Sequence, residues 1–123
     1  MGHQEVFESI LSKLDTVSGH LGCMIVSHDG EILGSHLDKA YGQDKIAAMS
    51  TDMVNMCDRV TGECKFGHPD IIVIEGESGK IAGVNAHGKI GYIFLLGKQE
   101  MNLGMAKIML HETVKEFEKD LGG

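Results

Sequence analysis

The stretch DIIVIEGESGKIAGVNAHGKIGYIFLLG, Asp70–Gly97, decides the fold. It opens with Ile71–Ile74, a run of β-branched residues whose stiff side chains suit a pleated sheet. A glycine-rich turn leads into a returning segment, Lys80–Ala86; His87-Gly88 turns the chain again, and Ile90–Leu96 follows. This order predicts an antiparallel meander of three strands.

Two features of the meander bear on the rest of the molecule. The last strand is apolar at consecutive positions, which predicts that helices cover both faces of the sheet. The first strand carries no charge between Asp70 and Glu75. An apolar strand of this kind at a sheet edge favours pairing with another chain.

The segment before the meander predicts a helix, a hairpin and a second helix. Gln4–Val17 is amphipathic, and Cys23–Val26 has the pattern of a buried strand. Asp29-Gly30 is a strong hairpin signal, so Glu31–His36 is predicted to be the returning strand. A second helix is predicted from Gln43 to about Cys64.

Helical spacing divides this second helix into three predicted faces. The predicted core stripe consists of Ile46, Met49, Met53, Met56, Cys57 and Val60. A flank of small or half-polar residues that would let another helix approach consists of Ala47, Ser50, Val54 and Thr61. The solvent-exposed face includes Asp52, Asn55 and Arg59.

The last helix is predicted to run from an Asn102 cap to Leu121. Its core stripe consists of Leu103, Ala106, Leu110, Val114, Phe117 and Leu121. Another set of apolar residues projects away from that stripe: Met101, Met105, Ile108 and Met109. Two interpretations stay open for it, because methionine surfaces adapt to partners but these residues could equally pack under the first helix.

The fold class predicted from this order is α+β, with the elements α-β-β-α-β-β-β-α forming one domain over residues 1–123. A five-stranded antiparallel sheet is expected between helices on both faces. The chain is 42% hydrophobic and 24% charged, with a net charge of −7 that argues against a nucleic-acid or anionic-membrane partner. No apolar stretch approaches a membrane span, and the odd set of cysteines fits free thiols in the reducing cytoplasm.

No catalytic, cofactor-binding or metal-binding residue is predicted. The histidines lack metal-ligand spacing, and His28 and His36 fall near opposite ends of one hairpin. Cys23 and Cys57 are expected to be buried and inert. Cys64, beside Lys65, is the one thiol with a plausibly reactive setting.

Three segments together resemble the roadblock/LC7 domain family. Gly19–Gly30 resembles its G-x-x-G, apolar strand, D-G opening, and Ile72–Gly76 and Asn102–Ala106 resemble its later signatures. The resemblance extends over nearly the whole chain in the right element order. It implies a homodimer in which the third strands pair across a two-fold axis, with the middle helices side by side above the joined sheet.

Carried onto this chain, the implied dimer interface is Ile71, Ile72, Val73 and Ile74, together with Ala47, Ser50, Val54 and Thr61. Family members are non-enzymatic platforms that regulate or scaffold small Ras-like GTPases and other NTPases, or act as dynein light chains. The expected contacts with such a partner are Asp52, Asn55, Arg59, Met101, Met105 and Met109. The alternative is a small-molecule sensor or a thiol-dependent enzyme on a related α/β sandwich, with Cys64 or a histidine as the working group.

Overall fold

The computed structural model describes residues 2–86 and 90–121. Its elements are α1 (His3–Leu14), β1 (His20–Val26), β2 (Ile32–Leu37), α2 (Gln43–Glu63), β3 (Ile71–Glu75), β4 (Gly79–Asn85), β5 (Tyr92–Lys98) and α3 (Leu103–Leu121). The turn predicted at His87-Gly88 and the side chain of Leu121 lie outside the described part. Within that part, no helix combines the length and the apolarity that crossing a bilayer requires.

The strands form one antiparallel sheet in the order β2-β1-β5-β4-β3, which confirms the predicted fold class. The meander is confirmed as well, with Ile72 opposite Gly83 and Gly83 opposite Phe94. β5 lies at the centre of the sheet, and its residues 92–97 are all buried. This position explains why its sequence is apolar at consecutive residues.

The two faces of the sheet pack against different helices. Because side chains alternate along a strand, Cys23 and Ile25 point to the face covered by α1 and α3, whereas Met24 and Val26 point to the α2 face. The predicted stripe of α1 is confirmed: Val6, Phe7, Ile10, Leu11 and Leu14 are buried. α2 packs over β1 and β2, at one end of the sheet.

The orientation predicted for α2 is wrong. Ala47, Ser50 and Val54, expected on an exposed flank, are the residues that α2 buries against the sheet. Ala47 is 0% exposed and cannot contact a second chain in this conformation, whereas Met49 is 60% exposed and Met56 52%. Small side chains allow the helix axis to approach the sheet closely, and this close packing turns the longer methionines toward solvent.

The methionines around the start of α3 divide between core and surface. Met101, predicted as a partner contact, is 0% exposed, because it packs on Gly97 where a Cβ atom would overlap its side chain. Met109 is half-buried against the same core, while Met105 is 54% exposed. Asn102 caps α3 as predicted, since its side-chain Oδ1 accepts a hydrogen bond from the Met105 backbone N–H at 3.0 Å.

The adjacent alanines of α2 provide a matched test of its orientation. Ala47→Leu should lower the free energy of unfolding by about 1–3 kcal/mol, because the added atoms overpack the contact between α2 and the sheet. Ala48→Leu lies at an exposed position and should change it by no more than about 0.5 kcal/mol. Urea denaturation followed by circular dichroism measures both; equal losses would contradict this orientation.

Candidate interaction surface

β3 forms one edge of the sheet, with β4 as its neighbour on one side only. The Asn85 N–H donates to Asp70 O at 2.9 Å, and the Gly76 N–H donates to Gly79 O at 2.8 Å. Antiparallel ladders alternate with a period of two, so Ile72 and Ile74 direct their backbone groups toward β4. The N–H and C=O groups of Ile71, Val73 and Glu75 therefore point outward from the sheet.

Beside this edge, the α2 face of the sheet is incompletely covered. α2 lies over β1 and β2, so among the described residues no helix on this face is centred over β3 and β4. Ile72 and Ile81 are partly buried on this face, and Ile74, on the same side of β3, is 39% exposed. We call these three isoleucines the open half-face.

A cavity of about 290 Å³ separates α2 from the central strands. The cavity lies between the half of this face that α2 covers and the open half-face. Eleven residues line it: Val26, Ser27, His28, Thr51, Val54, Asn55, Asp58, His68, Asn85, Tyr92 and Phe94. The wall that α2 contributes is mainly polar, whereas β5 contributes two aromatic rings stacked at 5.8 Å between centroids.

The polar groups around the cavity can donate and accept hydrogen bonds. His68 Nδ1 lies 2.6 Å from Asp58 Oδ1. Burial, assisted by the negative charge of Asp58, raises the pKa of Tyr92 to about 12, so its phenol stays protonated at neutral pH. Cys64, the thiol named in the alternative function, is exposed and is not among the residues that line the cavity.

The outer surface of α2 carries the polar residues predicted to face a partner. Asp52, Asn55 and Arg59 are all exposed, and Asn55 also borders the cavity. With about 100° per residue, the stripe Met49, Met53, Met56 and Val60 lies on the flank away from the cavity. The sequence contained the signal for this apolar stripe but not the direction in which it points.

Near the β2 edge of the sheet, the structure also brings together residues that the sequence left apart. His36 Nδ1 lies 2.6 Å from Asp15 Oδ2, and Cys23 Sγ lies 3.7 Å from Asp15 Oδ1. Burial and the neighbouring Asp15 carboxylate raise the pKa of the Cys23 thiol. Burial lowers the pKa of His36, but its hydrogen bonds to Asp15 and Glu8 outweigh this effect and raise the pKa overall.

The chain has relatives and structural neighbours over most of its length. The uncharacterized protein MJ1340 of Methanocaldococcus jannaschii is 27% identical over 112 residues, covering 91% of this chain and 96% of the relative.

Among solved structures, Myxococcus xanthus MglB has a TM-score of 0.88 at 10% identity, covering 99% of this chain and 98% of that one. A Roadblock/LC7 domain from Streptomyces avermitilis has a TM-score of 0.82 at 16% identity, covering 100% of both chains. A structure described as MglB with tetrameric arrangement has a TM-score of 0.81 at 13% identity, covering 97% and 90%. At these identities the three structures establish a shared fold.

Membership in a family follows from the sequence match itself. The family model of the Roadblock/LC7 domain matches residues 6–93, from the buried face of α1 to the start of β5. This match takes in the β1–β2 and β3–β4 hairpins, the whole of α2 and the edge strand β3. The chain belongs to the Roadblock/LC7 domain family.

Proposed function

We propose that this protein is a non-enzymatic homodimer in the cytoplasm that regulates or scaffolds a small Ras-like GTPase through protein–protein contacts. The observation that carries the proposal is the outward-facing edge of β3 beside the open half-face. Membership in the Roadblock/LC7 family supports it, because regulation and scaffolding of such GTPases are what that family implies.

Pairing of two β3 strands is the first step of the proposal. Ile71, Val73 and Glu75 present their backbone groups outward, and an antiparallel copy of the same strand offers a complementary row. A contact between identical strands across a two-fold axis is self-complementary and closes on itself. A ten-stranded sheet spanning both copies results.

The second step concerns α2 of each copy. Once the β3 edges pair, the two α2 helices lie on the same side of the joined sheet, and the open half-faces of both copies meet between them. The surface of α2 directed toward these half-faces is the cavity flank, Thr51, Asn55 and Asp58, and not the small residues, which the chain already buries. The MglB described with tetrameric arrangement has the same fold and self-associates, which supports self-association of this chain in general.

The third step assigns the GTPase contact to the outward face of α2. Asp52, Met56 and Arg59 are exposed at helical spacing, and they face away from the sheet. A dimer presents this mixed apolar and charged surface twice. Exposed Met and Arg side chains of this kind are enriched at protein interfaces.

A second candidate surface for the GTPase lies on α3, on the opposite side of the sheet. Met105 is 54% exposed and Ile108 is 59% exposed. Met109, half-buried beside them, adds a smaller part of its surface, whereas Met101 is excluded by its burial. Single substitutions on each surface can show which of the two binds the GTPase.

The dimer proposal predicts different behaviour for two substitutions at Val73. Val73→Pro removes an outward N–H from each copy but leaves the hydrogen bonds between β3 and β4 intact. The dimer therefore loses two hydrogen bonds of about 1 kcal/mol each, which weakens dimerisation about 30-fold. Val73→Ala trims the same side chain but keeps the N–H, and should dimerise like the wild type. Sedimentation equilibrium over a range of concentrations gives the masses; a wild-type protein that stays monomeric throughout contradicts the proposal.

The GTPase proposal predicts that Arg59→Glu reduces binding of the cognate GTPase by about tenfold or more. The reversed charge also alters GTP hydrolysis or nucleotide retention in the mixture. Purified small Ras-like GTPases of the same organism are tested by titration calorimetry and by single-turnover hydrolysis.

Met105→Glu is the control for this experiment, because it places the same charge on the α3 surface. It should retain wild-type binding, and circular dichroism should show both variants folded. If Met105→Glu weakens binding and Arg59→Glu does not, the GTPase contact lies on α3 and not on α2. A dimer that binds none of these GTPases would contradict the proposed function.

A further inference from the structure

A cluster of three potential metal ligands lies near the β2 edge of the sheet, opposite the proposed dimer interface. Asp15 follows the last turn of α1, Cys23 lies in β1, and His36 pairs with Cys23 across the β1–β2 ladder. One ligand atom from each of them, a carboxylate oxygen, a thiol sulfur and an imidazole nitrogen, lies within 4.8 Å of the other two. They come from three different elements, so the cluster is a product of the tertiary fold.

The spacing of these atoms suits a tetrahedral ion. Zn²⁺ bonds of about 2.0 Å to nitrogen or oxygen and about 2.3 Å to sulfur place ligand atoms roughly 3.3–3.5 Å apart. Here the Asp15 to His36 distance of 2.6 Å is shorter, and the Cys23 to Asp15 distance of 3.7 Å is longer. Metal binding therefore requires the ligand atoms of Asp15 and His36 to move apart and those of Cys23 and Asp15 to move slightly closer.

The surrounding groups hold the ligands in the orientation that a metal needs. Glu8 Oε2 lies 2.8 Å from His36 Nε2, which keeps a proton on that nitrogen and directs Nδ1 toward Asp15 and Cys23. A carboxylate on the outer nitrogen of a metal-binding histidine is a recurrent arrangement in metalloproteins. His20 adds a further imidazole, with Nε2 3.7 Å from Asp15 Oδ1.

The accessibility of the cluster fits an ion that enters from solvent. Cys23 is buried, but the side chains of His36 and Asp15 are 28% and 35% exposed. Water can therefore reach the fourth coordination position. Thiolate and imidazole ligands favour Zn²⁺ and its analogue Co²⁺ over the hard cations Mg²⁺ and Ca²⁺.

We propose that Asp15, Cys23 and His36 bind one divalent transition-metal ion, Zn²⁺ or a cation of similar preference, with water at the fourth position. Binding displaces the thiol proton of Cys23 and the Nδ1 proton of His36 to solvent. The ion fastens the end of α1 to the β1–β2 hairpin. Since β2 and β3 are opposite edges of the sheet, the site is independent of the proposed dimer interface.

Co²⁺ titration of the untagged, chelator-treated protein tests the site. One equivalent should produce a near-ultraviolet thiolate-to-cobalt charge-transfer band, and Zn²⁺ should abolish it by displacement. Cys23→Ser should remove the band, whereas the double variant Cys57→Ser with Cys64→Ser should keep it. Loss of the band in the double variant instead, or no band in the wild type, would overturn the proposal.

Two further variants measure the contributions of His36 and of Glu8, which orients it. Glu8→Gln should weaken Co²⁺ binding by roughly 10- to 100-fold, as expected for a group that orients a ligand. His36→Asn should weaken it further. His111→Asn is the matched control, because His111 also pairs with an aspartate, Asp70, at 2.9 Å but lies outside the cluster, and it should bind like the wild type.

If Cys23→Ser fails to fold, the half-exposed Asp15→Asn takes its place, and it should bind Co²⁺ at least tenfold more weakly than the wild type. Zn²⁺ should also raise the melting temperature of the wild type but not that of Asp15→Asn. Equal affinity in Asp15→Asn, His36→Asn and the wild type would show that the ion binds elsewhere and that the cluster is only an ion pair joining α1 to β2.

Discussion

The structure depends on one constraint, the unequal covering of a sheet that is apolar on both faces. β5 buries Phe94 on one side and Leu95 on the other, so each face must be shielded from water. α1 and α3 together cover one face, whereas α2 is the one helix of the described residues on the other face, where it lies over β1 and β2. The apolar surface that remains exposed on β3 and β4 is suited to contact with a partner.

The way α2 packs has consequences on both of its sides. Ala47, Ser50 and Val54 bring the helix close to β1 and β2, at the cost of exposing the longer side chains of Met49 and Met56. Methionine is flexible and polarizable, so an exposed methionine surface adapts to different partners. The orientation of α2 therefore produces both a close contact with the sheet and an adaptable methionine surface facing solvent.

The two edges of the sheet differ in chemistry. Near β2, His36 is held by the carboxylates of Glu8 in α1 and of Asp15 just after it, and Ser35 Oγ donates to Gln43 Oε1 at 2.9 Å, so polar side chains occupy that edge. β3 has apolar side chains and an outward row of backbone groups. Charged and polar groups discourage strand pairing at an edge, so the chemistry of the two edges favours β3 for the proposed self-association.

The sequence also predicted much of the architecture. The element order, the five strands, the covering of both faces of a strand apolar at consecutive residues, and the edge character of Ile71–Ile74 all follow from local patterns. Turn residues and strand periodicity are local properties, which is why single-sequence reasoning captures them.

The sequence by itself determined that this chain forms an α+β fold with an amphipathic α2, but not which face of α2 meets the sheet. The small residues of α2 and its methionine stripe both recur with helical spacing. Packing of α2 on β1 and β2 buries the small residues, and the sequence alone did not distinguish between the two. The meeting of Asp15, Cys23 and His36 was likewise decided by the tertiary structure, because strand pairing and the end of α1 bring them together. The spacing of Asp15, Cys23 and His36 along the chain does not show that these three side chains meet.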